Sequence, residues 1–144
     1  MAYATQADLL QRMTLVQLTQ LTDDAKTGSP DGPTVAAALE EASGRVDSYC
    51  RSRYVTPLQQ SDTVTTITRD VAVYLLWSRR PQQMSDTVRA RYDDAMSLLK
   101  DVATGKAVLD QPVSAAAPQS VSAEAVTPSK DNRRFTDKDI HGFV

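Results

Sequence analysis

Cysteine and histidine each occur once in the chain, as Cys50 and His141. One cysteine cannot close an internal disulfide, so no covalent staple holds the fold. Structural zinc sites draw on four Cys or His side chains, a set that is missing here. A Ser-His-Asp triad would have to recruit His141 from the C-terminal segment, a poor place to hold a base rigid. There is no Gly-rich phosphate loop and no nucleophile–base pair. The chain therefore reads as a non-enzyme with no metal and no cofactor. No apolar run approaches the roughly 18 residues that span a bilayer. The N-terminus lacks a charged region followed by an apolar core. The expectation is a soluble protein made in the cytoplasm, without a membrane partner. Neither sign of charge dominates: 16 Lys and Arg against 18 Asp and Glu leave a formal net charge of -2. A strongly basic nucleic-acid binder is excluded, and bulk charge names no partner.

What is present is helix signal. Thr5-Gln-Ala-Asp8 and Thr14-Leu-Val-Gln17 both have the form of a capping box, the first with Asp in place of Glu. They predict two short helices, about 5–12 and 14–20. Thr22 to Pro33 is a loop by its Gly, Pro and Asp content. Pro33-Thr34 opens the longest helix, with Val35, Leu39, Ala42, Val46, Tyr49, Cys50 and Arg53 at three- and four-residue steps. Gly44 within it costs roughly 1 kcal/mol against Ala, and is expected to admit a neighbouring backbone. Thr56 precedes a proline and leaves the helical region. Ser61 or Asp62 caps the next helix. Its apolar residues, from Val64 and Ile67 to Leu76 and Trp77, cover so much of its circumference that it should be central. It ends at Pro81, after Arg79 and Arg80, two cations placed where the helix dipole favours them. Ser85 or Asp86 caps the last helix, striped by Val88, Tyr92, Ala95, Met96, Leu99 and Val102. Thr104-Gly105 stops it. No strand pattern appears in residues 1–109. The fold class is all-α: a small bundle of about five helices, two short and three long, with an extended C-terminal tail.

The tail is the odd feature. Residues 110–130, DQPVSAAAPQSVSAEAVTPSK, bring three prolines and no aromatic side chain. Such a stretch buries too little surface to offset its ordering entropy, and reads as a tether. Extended, it reaches about 65 Å at roughly 3.1 Å per residue. Residues 131–144, DNRRFTDKDIHGFV, then place Phe135, Ile140 and Phe143 at its far end. Apolar anchors on a tether are the pattern of a docking peptide, bound by strand addition or in a groove. The division is a helical body at 1–109, a tether at 110–130 and a docking segment at 131–144.

Other constellations have plainer readings. Asp93 and Asp94 are adjacent on a helix and point about 100° apart, so they do not converge as a carboxylate pair. Residues 14–20 offer Gln17 and Gln20 but no Arg or Lys, which argues against a DNA-recognition helix. Arg79 and Arg80 form a solvated surface, pair with a neighbouring subunit or touch phosphate, with Asp86, Asp93 and Asp94 nearby to balance them. Tyr49, Arg53 and Tyr54 mark the end of the longest helix. They are candidates for a subunit interface, where Tyr and Arg are favoured, or else for core and plain surface.

These segments together resemble the head–tail joining, or neck adaptor, proteins of Mu-like tailed bacteriophages. The resemblance rests on the opening MAYATQADLLQRM and on Tyr49, Arg53, Tyr54, Pro57 and Leu58. It continues through Asp70, Ala72, Tyr74, Leu75 and Leu76, then Arg80-Pro81, then Tyr92, Asp93 and Ala95. Arg133, Phe135, Thr136, Gly142 and Phe143 match the family's tail pattern. The resemblance implies a structural virion protein at the head–tail interface. It implies a homo-oligomeric ring of about twelve copies seated beneath the portal. DNA passes through its bore without sequence specificity, and the next neck or tail-completion protein binds its other face. The C-terminal segment, through Arg133, Arg134, Phe135, Thr136, Ile140, Gly142 and Phe143, docks on the portal. The alternatives are another neck or tail-completion ring protein of the same virion, or a helical DNA-binding packaging module.

Overall fold

Five helices begin at five caps. At each, a Thr, Asp or Ser side chain accepts a hydrogen bond from a backbone N–H of the first turn. The computed structural model describes residues 1–115. Its helices are α1 (Gln6–Leu9), α2 (Leu15–Thr22), α3 (Gly32–Cys50), α4 (Asp62–Ser78) and α5 (Asp86–Thr104), with a 3-10 turn at Pro81–Gln83. Among the described residues there is no strand, only an isolated antiparallel bridge between Tyr54 and Val113.

The capping boxes form as the sequence dictates. Thr5 N–H donates to Asp8 Oδ2 at 2.7 Å, and Thr14 N–H donates to Gln17 Oε1 at 2.9 Å. The first helix is nevertheless shorter than expected, one turn rather than residues 5–12. Thr14 must adopt an extended backbone to cap α2. The chain before it tightens through Gln11 N–H to Asp8 and Arg12 N–H to Leu9 carbonyls, which are three-residue rather than four-residue bonds. Ser61 and Ser85, not Asp62 and Asp86, are the caps of α4 and α5.

α4 is the axle of the bundle. Val64, Ile67, Thr68, Arg69, Val71, Ala72, Val73 and Leu76 are all buried. The helix packs on each of the other four. α3 contributes Val35, Leu39, Ala42, Ser43, Val46 and Cys50 to the same core, and α5 contributes Ala95, Leu99 and Val102. α5 ends as Gly105 adopts φ 81°, with Lys106 N–H donating back to the Asp101 carbonyl at 2.8 Å. Gly105 also lies under the Arg53 guanidinium: a β-carbon there would sit 2.5 Å from one of its nitrogens. Gly44 does not play the part expected of it. A β-carbon at that position meets nothing within 4 Å, so no neighbouring backbone approaches.

The chain does not leave the body at Asp110. Leu109 is buried. Gln111 exchanges two hydrogen bonds with the backbone of Gln59, at 2.7 and 3.0 Å. Val55 N–H donates to Pro112, and Ser114 N–H to Arg53, at 3.0 and 2.8 Å. The stretch expected to begin a tether is thus bonded to the α3–α4 loop through Ser114.

The two glycines give opposite predictions. Gly44→Ala relieves helix-interior entropy in open space and should stabilise the fold by about 0.5–1 kcal/mol. Gly105→Ala must hold a left-handed backbone and push Arg53 aside, and should destabilise it by about 1–3 kcal/mol. Thermal melts of the two variants against the parent check both signs.

Candidate functional site

α4 runs between two ends of the bundle, and the residues singled out from the sequence divide between them. At its N-terminal end the α3–α4 loop, the chain start and the segment after α5 converge. Tyr3 is buried there. Its hydroxyl donates to Asp47 Oδ1 at 2.5 Å and accepts from Leu58 N–H at 2.8 Å. Its own N–H donates to Ser43 Oγ, and its carbonyl accepts from the side chains of Gln60 and Thr65. One residue so ties the N-terminus to α3, the loop and α4. Burial and the Asp47 hydrogen bond, opposed by the Leu58 N–H, push the Tyr3 hydroxyl from 10.0 up to about 12.

Tyr54 forms a second fastening of the same kind. It is 3% exposed, and its hydroxyl accepts from Leu109 N–H at 2.9 Å. Of the two readings that the sequence left open for Tyr54, its burial fits the core one. Tyr49 is half-buried against the core. Arg53 is half-buried over Gly105. Arg51 is exposed beside it. Of the three residues proposed for an interface, Tyr49 and Arg53 retain some surface.

Arg79 and Arg80 occupy the opposite end. Arg79 donates to the Leu21 carbonyl and pairs with Asp24, which Arg80 approaches at 3.7 Å. The arginines therefore hold the α2–α3 loop against the end of α4. That loop is shaped from within by Asp23, which accepts from Thr27 and Gly28 N–H groups at 2.8 and 2.7 Å. Those backbone donors hold its carboxyl below the usual range. Arg79, Arg80, Pro81 and Gln83 line an open hollow of about 330 Å³. The sequence left open whether these arginines meet DNA or a subunit; their first partners are internal.

Two features were not anticipated from the sequence. Asp70 gathers Arg12 at 3.0 Å and the buried Arg69 at 3.6 Å, and Arg69 also donates to Gln11 at 2.7 Å. The α1–α2 turn is thereby fixed to the central helix. Tyr74 and Tyr92 stack with ring centroids 3.8 Å apart, joining α4 to α5, and Arg45 donates to the Tyr92 hydroxyl. Asp70, Tyr74 and Tyr92 carried the family resemblance, and in the structure each is a fastening between helices. Arg133, Arg134, Phe135, Thr136, Ile140, Gly142 and Phe143 lie outside the described residues.

No helix among the described residues is long and apolar enough to cross a membrane. The family described as "Bacteriophage Mu, Gp36" matches residues 3–127, all but the first two described residues and part of the stretch beyond them. The chain is 34% identical over 104 residues to the Mu-like prophage FluMu protein gp36 of Haemophilus influenzae, covering 72% of each. It is 32% identical over 107 residues to gene product J of Escherichia phage Mu, covering 74% of each.

Replacing Tyr3 by Phe strands a buried N–H and the Asp47 carboxylate, at a cost of about 1–3 kcal/mol. Tyr3 is protonated more tightly in the fold than in the unfolded chain. Its contribution should therefore be whole below pH 10 and lost as pH rises through about 12. Denaturant melts across alkaline pH should show that decline in the parent and a shallower one in Tyr3→Phe. The Cys50 thiol is buried, and burial pushes it from 9.0 up to about 11. It should resist a thiol reagent at pH 8 in the native protein and react fully on unfolding.

Proposed function

The chain belongs to the bacteriophage Mu Gp36 family, and we propose that it is a structural virion protein, a head–tail adaptor. Copies of the helical body pack side by side in a ring of about twelve beneath the portal. The C-terminal segment reaches out to dock on the portal, and the free end of the ring receives the next neck or tail-completion protein. DNA passes through the bore without sequence readout, which suits a chain with a formal net charge of -2. The protein is made in the bacterial host and resides in the virion.

The observation that carries this reading is the separation between a fastened body and the apolar segment beyond it. The body is complete through Ser114, whose N–H is bonded to Arg53. Phe135, Ile140 and Phe143 follow after a Pro-, Ala- and Ser-rich stretch. Each anchor buried on a partner contributes about 1.5–3 kcal/mol before ordering costs. Part of that gain is offset by fixing the intervening chain. A ring multiplies the remainder, so the joint holds without any single strong contact.

Sedimentation with the portal protein of the same phage tests the reading. The full chain should bind, and a chain ending at Ala115 should not. The full chain carrying Phe135→Ala and Phe143→Ala should bind on the order of 100-fold more weakly, the loss of two buried aromatic anchors. Equal binding by all three would move the interface to the helical body. No binding by any would favour a tail-completion ring lower in the virion.

A further inference from the structure

The outer side of α3 borders an opening that the body does not fill. Between α3 and the end of α4 lies a hollow of about 470 Å³. Ala37, Ala38 and Leu75 give it an apolar wall, and Glu41, Arg45 and Arg79 are its charged residues. Each of those charges is already answered from within the chain. Arg45 pairs with Glu41 at 2.8 Å and donates to the Tyr92 hydroxyl at 3.2 Å, and Arg79 pairs with Asp24. An occupant of the hollow therefore need bring no charge, and an ionic one would have to compete with these pairs. Gly44 follows Ala37 and Glu41 at helical steps on the same outer side, and a β-carbon there meets nothing within 4 Å. Small side chains along this face let another backbone come close.

The same chain presents an element that matches the hollow. Leu15 and Val16 open α2 and are 54% and 65% exposed. The sequence of α2, LVQLTQLT, contains no charged residue. Leu18 and Leu21 are buried, and at about 100° per residue Val16 points away from both. α2 cannot swing to cover its own exposed side chains. Leu18, Leu21 and Thr22 anchor it in the core, a capping box closes its start, and Arg79 donates to the Leu21 carbonyl. We infer that Leu15 and Val16 of one copy enter the α3–α4 hollow of the next, so that successive subunits are joined head to tail. The charge pattern selects a second copy as the occupant: an uncharged helix start meets a hollow whose charges are internally paired. The two halves of the contact lie on different elements, so each subunit offers α2 to one neighbour and its hollow to the other. A heterologous contact of this kind propagates from copy to copy and closes into a ring where the rotation allows. The inference rests on the ring reading above and names the surfaces through which neighbours meet. A contact confined to this hollow is small and weak by itself, and ring closure makes the contacts cumulative.

Disulfide trapping in the full-length chain tests the contact without the portal. Two single-site variants, Val16→Cys and Ala37→Cys, are mixed and oxidised. Both positions are exposed, and the buried Cys50 does not compete. A covalent heterodimer of V16C with A37C is expected, at several-fold higher yield than the homodimer of either variant alone. The chain carrying both substitutions should give a ladder of higher covalent oligomers. Adding Leu15→Asp to V16C should lower the heterodimer yield several-fold. Asp suits the first turn of a helix, so that loss reports the apolar contact and not the fold. Val108→Cys, at a position 79% exposed, mixed with A37C gives the yield of random collision. A V16C–A37C yield no higher than this overturns the inference. Preferential V16C homodimers would mean a two-fold contact between α2 helices and would equally overturn it. Portal binding without the V16C–A37C link would leave the adaptor reading standing and overturn the head-to-tail contact; the link without portal binding would do the reverse.

Discussion

The hydroxyl of Tyr3 sits between a carboxylate and a buried backbone N–H, and much of the body's architecture is organised around that contact. The loop between α3 and α4 is long, and its Leu58 N–H has no helix or sheet ladder to enter. A buried donor of this kind is costly unless paired. Tyr3 pairs it from the far end of the sequence while Asp47 orients the same hydroxyl from α3. Tyr54 does the equivalent for Leu109. Two phenols therefore make a loop-rich end of a helical bundle behave as part of the core. The surface from which the chain continues is built on that end.

The charged residues follow the same economy of partners. Asp70 holds Arg12 and Arg69, and Asp24 holds Arg79 and Arg80. Each carboxylate joins segments that are far apart in the chain, the α1–α2 turn in one case and the α2–α3 loop in the other. Exposed ion pairs contribute little stability singly. Their service here is register: they fix where two irregular connections lie against α4. Tyr54, Leu58, Asp70, Tyr74 and Tyr92, on which the resemblance in sequence rested, are mostly such fastenings. The proposed portal contact uses a segment beyond these fastenings.

Some of this was legible in the sequence. Thr5, Thr14, Ser61, Ser85 and Gly105 act on groups within a few residues of themselves, so their roles could be read along the chain. The apolar breadth of Val64 to Trp77 placed α4 at the centre because a helix buried on most sides has few alternatives. Other roles could not be read. Gly44 looked like a close approach and is open, because nothing local distinguishes a glycine beside a backbone from one beside solvent. Tyr54 looked like interface because an aromatic at a helix end fits either role, and only its distance from Leu109 decides. The partner of Arg79 and Arg80 was left open because Asp24 lies more than fifty residues earlier in the chain.

The sequence by itself determined the helix class, the helix starts, the central helix and the division between an apolar-striped body and a Pro-, Ala- and Ser-rich continuation. Each of those depends on spacing, and spacing survives without coordinates. Only the tertiary structure decided which polar side chains became internal fastenings and that the body extends through Ser114. Those outcomes depend on residues forty to sixty positions apart meeting at hydrogen-bond distance. Such meetings are set by how the helices pack, and no local pattern encodes them.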